Sequence, residues 1–507
     1  MTRSTSTGGG AKVDAWGWGI AIACALAGAC TLEEDLVTEA GAELRFSVDT
    51  LRFDTVFAEV GSATRSFKIY NPFDRPLEIA RVSVSDEAGG RFRINVDGRS
   101  GEVVRDVFLP ADDSVYVFVE VTVDPSEPVA ASPFVFAGAV EVTATDATQV
   151  VHLEAFGQNA VYLPGPGPGP GADFRLLTCD LGEAVFGGDL PYVIYGSLVI
   201  DSCTVTLPPG TRLYVHGGIA RNPELFGGEP FNDGVLLVGA DGRLVVDGTA
   251  EEPVLIASDR LEEEFLTVGG QYGGLRLGAG SGPHRISHAR IRNGINGLVA
   301  DSAVALAIDH TEISYVDGVG LYAYQADVVA SNLAIHSTGS AALAVEKGGT
   351  LRLDYGTLVN IGSRESTVAL LNWTLYPDST IGTHPLDARL RNVIAFGSER
   401  EAFALSDVSA ADDAPDEAFD LAVEHSVVRS DLAAERPEAL AEACDACLFV
   451  NADSTIFLNP AQDTFLLDTL SVARGIARPL DVLDDLTGVV RDPEAPDAGA
   501  YEYVEPE

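Results

Sequence analysis

The chain of 507 residues carries 76 acidic against 32 basic side chains, a formal charge of −44, with 46% hydrophobic and 21% charged residues. Length alone suggests about three domains of roughly 150 residues each, and the apolar fraction suffices to bury cores. A surface this anionic repels phosphate backbones, which excludes nucleic acid as a partner. Only three basic residues are lysines, Lys12, Lys68 and Lys347. Dense carboxylates that salt must screen suggest a salt-adapted protein; base-composition bias in the gene is the competing reading.

The first thirty residues have the pattern of a processing signal. Arg3 and Lys12 precede the apolar run Ala15 to Ala29, which is too short for a comfortable transmembrane helix of about 20 residues. The run ends Leu26-Ala27-Gly28-Ala29-Cys30. Small residues before a cysteine resemble a bacterial lipobox, which implies cleavage at residue 29 and a lipid on Cys30, the membrane being its partner. Leu26 stands one place early, Asp14 is unusual so near the charged start, and Cys24 is the second choice. An ordinary secretory signal or a retained anchor is the alternative. Residues 30–41 form an acidic tether. Its start, Thr31-Leu32-Glu33-Glu34-Asp35, resembles the surface-export signal of Bacteroidetes-type lipoproteins and implies an outward-facing position on the outer membrane.

Four further cysteines suit an oxidising compartment. Cys179 and Cys203 are expected to form a disulfide, worth about 3–4 kcal/mol in the chain-entropy picture. Cys444 and Cys447 form a CxxC. Zinc needs four ligands and no second pair is present; thiol exchange needs a thioredoxin-like context. A small local disulfide is therefore expected.

Residues 42–160 alternate apolar and polar, as in Ser66-Phe67-Lys68-Ile69-Tyr70 and Val115 to Val121, with turns at Asn71-Pro72, Asp97-Gly98 and Pro110 to Asp113. Short strands at this spacing predict an antiparallel β-sandwich. Phe53-Asp54-Thr55-Val56, Asn71-Pro72, Phe92-Arg93-Ile94 and Leu153 to Gly157 occur in the order found in immunoglobulin-like domains of the ASH type. That resemblance implies a spacer or binding module. The alternating Pro164 to Gly171 then reads as a linker, 161–173.

Residues 174–507 are expected to form one further domain, and across 190–430 a repeat dominates it. Ile286-Ser287-His288-Ala289-Arg290-Ile291 returns at Ile308-Asp309-His310, Ala330-Ser331-Asn332 and Leu353-Asp354-Tyr355. The third residues are spaced by 22, 22 and 23, with looser copies at Asn392 and His425. Short β-rich segments at such a period, without a leucine-rich frame, predict a right-handed parallel β-helix of the pectin-lyase-like kind, in all roughly ten to twelve coils stacked at about 4.8 Å. No calcium-binding nonapeptide is found. The front is expected to be stapled by Cys179–Cys203, and the tail Asp497 to Tyr503 to cap the other end.

The polar ladder His288–His310–Asn332–Tyr355 is read first as a structural stack satisfying backbone groups at a turn, and second as a ligand or catalytic strip along one coil edge. Two histidines one coil apart would repel if charged, so both are expected to be mostly neutral at pH 7. An enzyme of this fold would need a base and cation, or two carboxylates. The candidates are Asp259 and Arg260 with Glu262, Glu263 and Glu264, or Arg285 with His284 and Asp309. No GxSxG, P-loop, HExxH or dinucleotide fingerprint stands in context, so no catalytic residue, cofactor or metal is assigned.

Signal, sandwich, linker and solenoid together, with Pro191 to Gly196 and Gly269-Gly270-Gln271-Tyr272, resemble a family of Bacteroidetes-type lipoproteins with a right-handed β-helix. The resemblance implies location and fold, not chemistry. The expected function is non-catalytic: binding of a glycan or an envelope protein, or a structural role in the envelope. A polysaccharide lyase or hydrolase working in a groove of the β-helix is the alternative.

Overall fold

The computed structural model describes residues 36–38, 43–57, 64–85, 90–122, 134–163, 174–179, 182–221, 230–408, 419–432 and 443–505. Cys24, Cys30, the acidic run after it, and Pro164 to Gly171 lie outside these residues. The described residues are all-β, in two compact units, with Gly157–Glu507 in the second. Among them no helix is long and apolar enough to cross a membrane.

The first unit is an immunoglobulin-like sandwich of two five-stranded antiparallel sheets. One holds β1 (Arg45–Phe46), β3 (Thr64–Tyr70), β5 (Phe92–Val96), β6 (Arg99–Gly101) and β8 (Ser114–Val121). The other holds β2 (Thr50–Phe57), β4 (Leu77–Val84), β7 (Val103–Leu109), β9 (Phe134–Ala144) and β10 (Ala147–Gln158). Alternation puts Phe67, Ile69, Ile94, Val117 and Val119 on the inner side of the first sheet, and Ile79, Val107, Val142 and Leu153 on that of the second. The Asn71-Pro72 turn is held by the buried Asn71. Its amide donates to the carbonyls of Arg75, Leu109 and Pro110, and its oxygen accepts from the Phe73 N–H.

The second unit is a parallel β-helix, and crossovers between parallel strands of L-residues run right-handed. Its 24-stranded sheet curls into three faces. In each coil the chain visits the first face (for example Leu298–Ala300), the second (Ala305 to Asp309) and the third (Thr311 to Val316). Aligned coils place like residues in contact. On the first face Leu198, Leu236, Leu275, Leu298, Leu321 and Leu343 stack in one row. On the third, Ile256, Ile291, Ile313, Ile335 and Leu358 do the same. These rows fill the interior, and each coil completes its neighbour's core, which is why one coil alone would not fold.

Two boundaries differ from the sequence expectation. Val161–Leu163, assigned to the linker, is the first rung of the third face, paired in parallel with Tyr192–Tyr195. The three-residue run is too short to show periodicity beside the Pro-Gly repeat. The tail, expected as an end cap, instead runs back along the outer side of the third face. Ile456, Phe457, Phe465, Leu467, Ala473, Ala477 and Ala498 pack on Tyr355, Val359, Ile394 and Val427. This strap converts that outer surface into a second apolar core.

Candidate functional site

The ladder occupies the corner between the second and third faces. His288, His310, Asn332, Tyr355, Asn392 and His425 all have φ between +43° and +58°, and Ala446 continues the row at +54°. One left-handed residue redirects the chain between two strands. Asn and His enter that region at lower cost than most residues, whereas for Tyr355 it is strained.

The strap compensates Tyr355. Its hydroxyl donates to the Arg478 carbonyl at 3.1 Å, and the Arg491 guanidinium lies 3.8 Å from its ring centroid. Arg491 is buried and also donates to the Asn332 side-chain oxygen at 2.7 Å and to the Gly499 carbonyl, and pairs with Glu502 at 3.3 Å. Asn392 donates to the Arg478 carbonyl and accepts from the Arg478 N–H. Gly499, at φ +98°, sits where a Cβ would lie 2.7 Å from Ile394 Cδ1 and Thr357 Oγ1, so only glycine fits. Asn332, Tyr355 and Asn392 are thus committed to holding the strap.

The other end of the ladder is less covered. The His288 and His310 rings stack at 4.4 Å with a 2° interplanar angle. His310 Nδ1 lies 3.0 Å from Asp309 Oδ1, and its Nε2 lies 3.3 Å from Asp484 Oδ1 of the strap and 2.9 Å from Asn332 Nδ2. Burial and the neighbouring His310 charge push the His288 pKa down, in keeping with a neutral ring. For His310 the balance of causes runs the other way. Burial opposes its charge, but the Asp309 hydrogen bond and the Asp484 field outweigh it, and its pKa is raised. Asp484 is 174 residues away in sequence, so ladder spacing could not reveal it.

The alternative clusters do not converge. His284 points into the core while Arg285 faces out to Asp247 at 2.6 Å. Leu244 N–H donates to His284 Nδ1, and Nε2 lies 2.9 Å from Ser281 Oγ, whose hydroxyl donates to the Gly278 carbonyl. That wiring requires a neutral ring, and burial first, then Arg243, lowers its pKa to about 4. Asp259 instead binds His216 Nδ1 at 2.7 Å. Arg260 pairs with Glu262 and covers the Phe265 ring, with Glu263 and Glu264 exposed beside it.

Cys179 and Cys203 are bonded. The expected Cys444–Cys447 disulfide is not formed: both are free thiols. They flank the left-handed corner residue Ala446, and the Cys447 thiol donates to the Val423 carbonyl at 3.5 Å. The CxxC spacing says nothing of this corner, which sets the directions of the two side chains.

A cleft of about 570 Å³ opens where the first face meets the second, lined by Gly349, Thr350, Pro385, Leu386, Asp387, Phe419 and Asp420. This volume is in the range of small-ligand sites, about 300–1,000 Å³. Phe419 and Pro385 supply an apolar wall, and the carboxylates supply acceptors. Arg389 lies between Asp387 and Asp420, and Arg352 adds a second partner for Asp387. The Arg389 hydrogen bond holds the Asp420 pKa below the usual carboxylate range. Sequence reading missed this cleft, because its residues come from coils separated by outward loops where the period stretches.

No family model and no curated protein matches the chain. Solved structures do. The catalytic unit of a GH87 alpha-1,3-glucanase from Streptomyces thermodiastaticus is 10% identical over 71% of this chain and 79% of its own, with a TM-score of 0.26. The periplasmic chaperone SfaE is 10% identical over 23% of this chain and 58% of its own, with a TM-score of 0.17. A family 123 glycoside hydrolase from Clostridium perfringens is 10% identical over 25% of this chain and 26% of its own, with a TM-score of 0.18. The chain spans little more than half of the chaperone and about a quarter of the family 123 enzyme.

Proposed function

We propose that the protein is a lipoprotein, anchored through Cys30 to the outer membrane and facing outward, whose β-helix binds a glycan without catalysing its cleavage. The observation that carries the non-catalytic part is the pairing in the cleft. A glycosidase needs one carboxyl kept protonated as general acid and a second as base or nucleophile. Asp387 and Asp420 share the Arg389 guanidinium, and its hydrogen bond holds the Asp420 carboxyl below the usual carboxylate range, the opposite of what a general acid needs. Three members of the ladder, Asn332, Tyr355 and Asn392, supply no substitute, since they hold the strap. An aromatic ring beside hydrogen-bond acceptors remains, which suits the apolar face and the hydroxyls of a sugar.

A glycan-array screen of the protein, with product release assayed on each hit, tests the proposal. Binding that Phe419→Ala and Asp420→Asn each weaken about tenfold, with no cleavage, is the expected result; turnover abolished by Asp420→Asn would establish the hydrolase instead. For the anchor, metabolic labelling with palmitate should mark the protein and leave Cys30→Ala unlabelled. Location follows from whether added protease reaches the protein on intact cells.

A further inference from the structure

We infer that the less covered end of the ladder, His288 with Asp309 and His310, is a site for a divalent transition-metal ion of the zinc class. One donor atom from each residue lies within 4.8 Å of the others. The donors form a connected arc: His288 Nδ1 to Ser287 Oγ is 3.0 Å, Ser287 Oγ to Asp309 Oδ1 is 2.5 Å, and Asp309 Oδ1 to His310 Nδ1 is 3.0 Å. Ligands about 2.0–2.1 Å from a tetrahedral zinc are about 3.3 Å from one another. The Asp309–His310 pair is close to that spacing before any ion enters.

The surroundings suit an ion. His310 Nε2 faces Asp484 Oδ1 at 3.3 Å, which lets Nε2 carry the hydrogen while Nδ1 turns its lone pair to the metal. A carboxylate behind a ligating imidazole fixes the tautomer in this way. Asn332 Nδ2, 2.9 Å from the same nitrogen, must yield that contact when the tautomer changes. In the stack the ring planes are parallel, so the imidazoles swing about their χ2 bonds until both Nδ1 lone pairs converge; that torsion is soft. The chain's charge of −44 raises the local cation concentration. Two imidazoles and a carboxylate favour zinc-like ions over calcium or magnesium, which take oxygen ligands. Because Asp484 belongs to the strap, an ion here would also tighten the strap on the ladder.

The test is calorimetric titration of the EDTA-stripped protein with zinc chloride and, separately, calcium chloride, alongside thermal melts. The expected result is one equivalent of zinc bound at micromolar affinity or tighter, a raised melting temperature, and no comparable calcium binding. His288→Ala and Asp309→Asn should each weaken zinc at least about tenfold, while His152→Ala on the sandwich leaves it unchanged. His288→Gln, which preserves the His310–Asp309 and His310–Asp484 contacts, serves if His288→Ala does not fold. Absence of a stoichiometric zinc site, or zinc binding that survives the His288 and Asp309 changes, overturns the assignment. Neither outcome touches the glycan proposal, whose residues lie elsewhere.

Discussion

The second and third faces of the β-helix share one backbone and one coil spacing, yet their outer surfaces have opposite chemistry. On the second face Arg352, Asp354, Asp387, Arg389, Arg391 and Asp420 interlock as ion pairs in water. On the third, Val359, Ile394 and Val427 are apolar and buried beneath the strap. Inward positions are dictated by the stack itself, because every coil must present an apolar residue to the next. Outward positions depend on what lies over them. The same fold therefore offers one surface built to remain wet and another that is incomplete without its own C-terminal segment.

The largest effect should come from removing that segment. Several apolar side chains, each worth roughly 1.5–3 kcal/mol when buried, would lose their cover, a sum comparable with a domain's whole stability of about 5–15 kcal/mol. A chain ending at Thr455 should aggregate or melt at least about 10 °C lower. An unchanged melt would erase the distinction between the faces.

Next in size is Arg491→Ala. It leaves Glu502 without its buried cation and Asn332 without its donor, and should cost about 3–5 kcal/mol by chemical denaturation. Its buried guanidinium makes it the sharpest single probe of the strap.

A smaller, pH-dependent effect belongs to His284. Its folded pKa of about 4 lies below the ordinary 6.5, so the folded state binds the proton less readily than the unfolded one. The stability it confers is complete above pH 6.5 and is lost as pH falls toward 4, by roughly 2–3 kcal/mol. His284→Gln should remove this slope and leave the remainder of the pH profile in place.

The smallest effect is expected on the open face. Arg389→Ala breaks ion pairs that are largely solvated, so it should cost no more than about 1 kcal/mol, and less at high salt. A loss as large as that of Arg491→Ala would show that the two surfaces are not different in kind.

The stack was legible in the sequence because each coil touches its own copy. Spacings of 22, 22 and 23 between His288, His310, Asn332 and Tyr355 therefore pointed to stacked coils, and those residues occupy one corner. The looser copies at Asn392 and His425 lie on it too. Contacts without a period were not legible. Arg491 with Asn332 and Asp484 with His310 join segments 159 and 174 residues apart, and nothing repeats to announce them. For the same reason the acidic partner that raises the His310 pKa was not foreseen, and Cys444–Cys447 was expected to be bonded from spacing alone.

Hydrogen exchange read by mass spectrometry tests the strapped corner most directly. If residues 478–503 complete the third face, their amides should exchange as slowly as those of residues 286–362 and become fast only when the β-helix unfolds. Exchange of 478–503 at the rate of an exposed segment, with 286–362 still protected, would contradict the account.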